Sequence, residues 1–310
     1  MQLKQRIDQF LEHCAHERRL SPKTVRAYAC DLQQLLAWLD TEGRSHDVSR
    51  DDLRAYVRHL NAHYAPSSAK RKVASTHSFF TWLLEEGLGD DPFYGLRVRI
   101  NEPQRLPRTI PQRDLTLIFA AAGTPTHNST HGRFLAAREK ALVEVLIETG
   151  LRISELCGLN LEDLDEASQC LTVMGKGSRE RIAHVENATT IASLDDYLAE
   201  RECLLKSLTP ADIDARALFV SCRGKRLSEQ AARESIQALA DRSGARTHVT
   251  PHMFRHTFAT MLLEDDVDIR YIQALLGHQS IKTTERYAHA TTPKLRRIMH
   301  DHSPRDAIRC

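Results

Sequence analysis

CLTVMGKGSRERIAHV, residues 170–185, is a β-branched run, a Gly-Lys-Gly turn and a second run, which together signal a β-hairpin. The pattern on both sides is helical. Upstream, helices are expected at about 112–122 and 133–149; downstream, at about 188–206, 228–243, 251–264, 268–276 and 280–288, with one short strand at Ala217–Val220. A lone hairpin among helices makes this part of the chain mainly α with a small antiparallel β-sheet.

Residues 1–100 read as helix throughout. Leu3, Ile7, Phe10 and Leu11 share one face. Ser21-Pro22 supplies an N-cap and a first-turn proline for a segment carrying Val25, Tyr28, Leu32, Leu35, Leu36 and Leu39. Ser49 opens a third segment, and Pro66-Ser67-Ser68 a fourth that runs through Phe79, Phe80 and Leu83. Four amphipathic helices with short loops predict a compact helical domain over 1–96. Residues 97–111 are expected as a linker, and 112–310 as a second domain with a C-terminal tail.

A length of 310 residues fits two domains, and 41% hydrophobic with 27% charged residues is ordinary for a soluble globular protein. The 43 basic and 41 acidic side chains leave a net charge of +2, which by itself points to no polyanionic partner. No apolar run is long enough to span a bilayer, and the N-terminus has no signal-peptide core. The seven cysteines are odd in number and scattered without a CxxC pair, so a reducing cytoplasm is expected rather than a disulfide framework. No HExxH is present and His252/His256 lack the intervening Glu, so no metal site is expected.

The segment 97–113, RVRINEPQRLPRTIPQR, carries five Arg against one Glu, and its prolines at 103, 107 and 111 favour an extended path. It reads either as a solvated linker or as a basic strand laid along a phosphate backbone. Four further segments stand out: TGLRISEL (149–156), GKGSRER (175–181), PHMFRH (251–256) and LLGHQSIKTTERYAH (275–289). Singly, each is ordinary. An arginine after a helix end is most often a surface ion pair, and a tyrosine near a C-terminus most often packs.

Together, in order and spacing, they resemble the tyrosine recombinase family, the phage integrase and Xer group. Its pattern is Arg, a hairpin Lys, His-x-x-Arg, a second His and a Tyr nine residues later; here these are Arg152, Lys176, His252 with Arg255, His278 and Tyr287. The resemblance covers the whole chain. It implies a two-domain DNA clamp, with a helical core-binding domain of SAM-like type first and a catalytic domain second.

The chemistry follows from the residue types. In-line attack on a phosphodiester places negative charge on the nonbridging oxygens of a trigonal-bipyramidal state. Two guanidiniums, Arg152 and Arg255, can clamp those oxygens while staying charged at any working pH. His252 and Arg255 lie at i and i+3, on one helical face. Tyr287 needs its proton removed to act as nucleophile. The resemblance implies His252 as general base, His278 as a hydrogen-bond donor to the phosphate, Lys176 as general acid to the leaving 5′ oxygen, and Glu155 as a supporting carboxylate. It implies a 3′-phosphotyrosyl intermediate and needs no cofactor, neither ATP nor a metal, in keeping with the lack of a P-loop motif.

Candidate phosphate contacts are Lys70, Arg71 and Lys72, then Arg105 and Arg108 in the linker, and Arg223, Lys225 and Arg226; each cluster reads equally as a solvated helix end. The tail, with Leu295, Ile298 and Met299 at helical spacing, either docks on a neighbouring subunit or folds back on its own domain. The expected partners are double-stranded DNA recombination sites, further recombinase subunits in a homo- or heterotetramer, and an accessory or activating protein; no membrane is expected. The competing readings are a type IB topoisomerase-like enzyme that relaxes DNA and a non-catalytic DNA-binding accessory protein. GTPTHNSTHGR, residues 123–133, is expected as a loop insertion.

Overall fold

A computed structural model describes residues 2–96, 98–100, 108–125, 127, 129–175, 180–209, 213–277 and 292–308. The chain divides into two compact units, Met1–Arg105 and Leu106–Cys310.

The first unit holds α1 (Gln2–His16), α2 (Pro22–Thr41), α3 (Arg50–His63) and α4 (Pro66–Glu85). Ser21 caps α2 by accepting the Thr24 N–H at 3.2 Å, and Ser49 with Asp52 forms a capping box on α3. The apolar faces meet around Phe10, Leu35, Leu39, Tyr56 and Phe79, with Phe10 edge-on to Phe79 at 5.5 Å.

One buried charge ties α2 to α4. The Asp31 carboxylate is fully buried and accepts from Lys72 Nζ at 3.2 Å, from Ser75 Oγ at 2.8 Å and from Arg71. Lys72 also donates to Gln34 and stands 4.8 Å from the centroid of Tyr64. This corrects the expectation for Lys72: its charge is turned inward to neutralise Asp31 and is not offered to a surface phosphate.

The second unit is built on one central helix. It comprises α5 (Gln112–Ala121), α6 (Thr130–Thr149), α7 (Ile153–Gly158), a 3₁₀ turn at Leu161–Asp163, β1 (Leu164–Asp165), β2 (Cys170–Met174), β3 (Glu180–His184), α8 (Ala188–Lys206), α9 (Glu229–Ser243), α10 (Pro251–Glu264), α11 (Ile269–Leu276) and α12 (Thr292–Asp301). Every residue of α6 from 141 to 149 is buried, with α8, α9 and α10 packed around it. The strands form one antiparallel sheet in the order β1-β2-β3, registered from Cys170↔His184 to Met174↔Glu180.

The hairpin therefore forms where the sequence predicts it; its turn residues 176–179 and the helix expected at 280–288 lie outside the described residues. β1 and α7 are additional elements, too short to carry a periodicity. α6 begins at Thr130 behind the cap Ser129, so the polar stretch 123–133 gives its last residues to the helix. Ala217–Val220 is not a strand. It makes only the isolated bridges Asn160↔Ala217 and Val220↔Arg226. Side chains satisfy part of its backbone, Tyr197 donating to Leu218 O and accepting from Val220 N, Arg201 donating to Ala217 O and Arg138 to Val220 O, while Leu218 N donates to Leu159 O and Phe219 O accepts from Leu227 N.

Two carboxylates one helical turn apart, Glu144 and Glu148, sit in this core, and the C-terminal tail meets both. Arg305 donates to Glu144 Oε1 at 3.0 Å and Ser303 Oγ to Glu148 Oε2 at 2.5 Å, while Ile308 joins the main core and Met299 packs with Phe258 and Leu262. Here the tail folds back on its own unit.

Two predictions come from α6. Burial pushes the Glu148 carboxyl up from 4.5 to about 7, against the opposing bonds from Ser303 and the Glu186 N–H. Because the native state holds that proton more tightly, its stabilisation is complete below pH 4.5 and is lost as pH rises towards 7, at most about 3 kcal/mol. Urea unfolding should show the wild type losing stability relative to Glu148→Gln across that window; a flat difference between pH 4.5 and 8 refutes the assignment. Second, Gly150 ends α6 at φ 60°, and a Cβ there would meet Leu276 Cδ2 and Phe258 Cδ1 at 2.7 Å. Gly150→Ala should therefore destabilise the protein by about 2–4 kcal/mol through combined strain and overpacking, read as a lowered urea midpoint at unchanged slope.

Candidate active site

The left-handed turn at Gly150 delivers Leu151 to the core and places Arg152 as the N-cap of α7. Glu155, at the third position of α7, reaches back to accept the Arg152 backbone N–H at 2.8 Å and the Arg152 guanidinium at 2.7 Å. One carboxylate thus fixes both the main chain and the side chain of Arg152.

Arg255, on α10, is buried to 6% exposure. Its Nη1 donates to Gly150 O at 2.8 Å and its Nη2 to Leu276 O at 2.7 Å, so it takes carbonyls from the C-terminal ends of α6 and α11. His252 lies one turn earlier on α10, on the exposed side of Pro251. The described catalytic candidates Arg152, Glu155, His252 and Arg255 are therefore gathered where the ends of α6, α7, α10 and α11 meet. Lys176, His278 and Tyr287 lie outside the described residues, although Gly277, which precedes His278, caps α11 in the left-handed region.

A further arginine, missed in the sequence reading, belongs to this group. Arg181, in β3, makes a two-pronged bond to Glu155, Nη1 to Oε1 at 3.1 Å and Nη2 to Oε2 at 2.9 Å. The available signal was strand alternation: 181, 183 and 185 share a face, Ala183 and Val185 are buried, and a charged residue on such a face needs a partner.

The electrostatics are those of an anion site. Burial alone would raise the Glu155 carboxyl, but the bonds from Arg181 and Arg152 bring it below the ordinary value. Burial, and then the charge on Arg152, lower Arg255 to about 10, so it stays protonated at neutral pH. Burial first, then the neighbouring His256, Arg233, Arg255 and Arg152, lower His252 from 6.5, which favours its neutral imidazole. Three guanidiniums thus stand near one carboxylate, which is bonded by two of them, Arg152 and Arg181.

The other basic candidates lie elsewhere. Arg226 donates Nη1 to the carbonyls of Cys157, Gly158 and Leu159 and pairs with Asp214 at 3.2 Å. Its role is to close the C-terminus of α7, which corrects its assignment to phosphate. Arg108 and Arg223 are exposed, and Arg105 lies outside the described residues. Among the described residues no group of three or more His, Cys, Asp or Glu could hold a metal ion, and no helix is long and apolar enough to cross a membrane.

Comparison with known proteins identifies the family. Residues 111–293 match the family model described as Phage integrase family, and residues 7–87 that of the Phage integrase N-terminal SAM-like domain. The chain is 36% identical to a tyrosine recombinase of Agathobacter rectalis over 308 residues, covering 98% of this chain and 97% of that protein. It is 35% identical to tyrosine recombinase XerC of Myxococcus xanthus over 301 residues, covering 96% and 97%. In fold, it resembles the XerH site-specific recombinase bound to palindromic difH substrate in a post-cleavage complex, with a TM-score of 0.69 at 20% identity, covering 94% of this chain and 83% of that one. The chain belongs to the phage integrase family and is a Xer-like tyrosine recombinase, of a kind that cuts and rejoins DNA strands.

Proposed function

We propose that this enzyme recombines two specific double-stranded DNA sites through a 3′-phosphotyrosyl intermediate, with Tyr287 as nucleophile. The observation that carries the assignment of roles is the charge surplus around Glu155: Arg152, Arg181 and Arg255 against one carboxylate, a deficit of negative charge that a phosphodiester fills. Arg152 and Arg255 clamp the nonbridging oxygens. Arg255 commits two of its five donors to carbonyls and is thereby pre-oriented before substrate arrives.

His252 takes the Tyr287 proton as general base, a role that its lowered pKa supports by keeping it neutral. Lys176 gives a proton to the leaving 5′ oxygen, and His278 hydrogen-bonds the phosphate. Cleavage breaks the P–O5′ bond and forms the phosphotyrosyl ester, leaving a free 5′ hydroxyl. A 5′ hydroxyl of the second DNA then attacks the ester and releases Tyr287. Each cut bond is replaced by an ester, so the exchange needs no ATP.

The helical domain 1–96 and the catalytic domain 112–310 close on DNA through the basic linker 97–111. Lys70, Arg71, Arg105, Arg108, Arg223 and Lys225 serve the phosphate backbone. The working unit is a tetramer on two sites in the cytoplasm, joined by an accessory or activating protein. Its setting is dimer resolution of chromosomes or plasmids, or mobile-element integration and excision.

A nicked suicide substrate carrying the cognate site tests the chemistry. The wild type should form a covalent adduct in EDTA that survives denaturation, and Tyr287→Phe should bind and form none; an adduct with Tyr287→Phe removes it as nucleophile. Relaxation of supercoiled DNA without joining of two sites would instead identify a topoisomerase. The pH dependence is a separate check. A base that must be neutral loses rate only below its own pKa, so the acid limb of single-turnover cleavage should have its midpoint below 6.5. A midpoint at or above that value contradicts the assignment of His252.

A further inference from the structure

Glu155 has no unused acceptor capacity. An ionised carboxylate offers about four lone-pair positions. Here Oε1 accepts from Arg181 Nη1 and Arg152 Nη1, and Oε2 accepts from Arg181 Nη2 and the Arg152 backbone N–H, at 2.7 to 3.1 Å. The carboxylate is 6% exposed. Remove Arg181, and it keeps only the two Arg152 bonds while half its acceptor positions face a site with little water. It must then shift, and because it holds Arg152 by main chain and side chain together, Arg152 shifts with it.

Arg181 is poorly placed to meet a substrate itself. Its side chain is 13% exposed, against 35% for Arg152. Both terminal nitrogens face Glu155, and its Nε is buried with no acceptor among the described residues. Its stem lies against Gly277, where an added Cβ would stand 3.0 Å from Arg181 Cδ. The guanidinium also comes from β3, the returning strand of the hairpin, whereas Glu155 and Arg152 belong to α7. The fork therefore locks the sheet to the turn that carries the phosphate-facing arginine.

We propose that Arg181 is a positioning residue for strand cleavage: through the Glu155 carboxylate it holds Arg152 in the orientation that meets the nonbridging oxygen of the scissile phosphate. The proposal rests on the reading of Arg152 as part of the phosphate clamp. Lysine cannot replace Arg181, because an ammonium is a point charge and cannot fill both carboxylate oxygens in a fixed plane.

The test compares cleavage of an ordinary suicide substrate with cleavage of one bearing a methylphosphonate at the scissile position. There a methyl group replaces one nonbridging oxygen, and the charge that Arg152 neutralises is absent. On the ordinary substrate, Arg181→Ala should cleave on the order of 100-fold more slowly, the penalty for a displacement near 1 Å, with DNA affinity unchanged within about twofold. Arg181→Lys should recover little of that loss. On the methylphosphonate, Arg152→Ala and Arg181→Ala should both return to near the wild-type rate for that substrate.

Recovery of Arg152→Ala without recovery of Arg181→Ala overturns the proposal, since Arg181 would then act elsewhere. Wild-type cleavage of the ordinary substrate by Arg181→Ala overturns it as well. Failure of Arg152→Ala to recover removes the clamp reading on which the proposal stands, a result distinct from the other two. Should Arg181→Ala not fold, Arg181→Gln, which keeps most of the side-chain volume and one donor, replaces it with the same expected outcomes.

Discussion

An arginine buried to 6% exposure in an apolar core must find acceptors that leave its charge usable, and Arg255 finds them in the carbonyls of Gly150 and Leu276. A carboxylate there would neutralise that charge. Carbonyls at helix C-termini supply partial negative charge and leave the full positive charge in place. The arrangement requires the ends of α6 and α11 to converge on one face of α10. That in turn requires Gly150 to turn left-handed with no Cβ between Leu276 and Phe258. The same turn sends the chain into Arg152. One solvation problem thus fixes the relative positions of three helices and of Arg152 and Arg255.

The central helix carries a second set of buried charges with a different logic. Glu144 and Glu148 are matched by groups distant in sequence, Arg305 and Ser303 among them, so the end of the chain completes the solvation of its core. Among the described residues Glu148 accepts hydrogen bonds only from neutral groups, too few to offset the burial that raises its carboxyl to about 7. Glu155 is bonded to two guanidiniums and ionises fully. Two glutamates within seven positions along the chain therefore shift in opposite directions from the ordinary carboxyl value. What decides between them is whether the donors around them are charged.

How much of this the sequence discloses depends on the range of the interaction. The hairpin strands and the longer described helices were legible because periodicity and capping act within a few residues. Arg152, Glu155, His252 and Arg255 were legible because their motifs are local and occur in a known order. Ala217–Val220 misled because a fully buried apolar run looks the same whether its backbone meets a continuous strand or isolated bridges together with the side chains of Tyr197, Arg201 and Arg138. Arg181 escaped because its partner Glu155 is 26 residues away and only the fold brings them together. Lys72 and Arg226 misled for the same reason: their partners Asp31 and the end of α7 are distant in sequence.

Those two basic residues also explain why net charge is uninformative for this enzyme. A count treats every Lys and Arg as available to phosphate, yet Lys72 neutralises a buried Asp31, Arg226 closes a helix, and Arg138 and Arg201 hold backbone carbonyls. Much of the basic content is structural, and acidic side chains cancel it in the total of +2. At the site the ratio is different, three guanidiniums to one carboxylate, and burial first, then the charge on Arg152, lowers the Arg255 pKa to about 10. In a low-dielectric junction, positive charge left locally unmatched is a standing demand for an anion, and a protein of almost no net charge can hold it as firmly as a basic one.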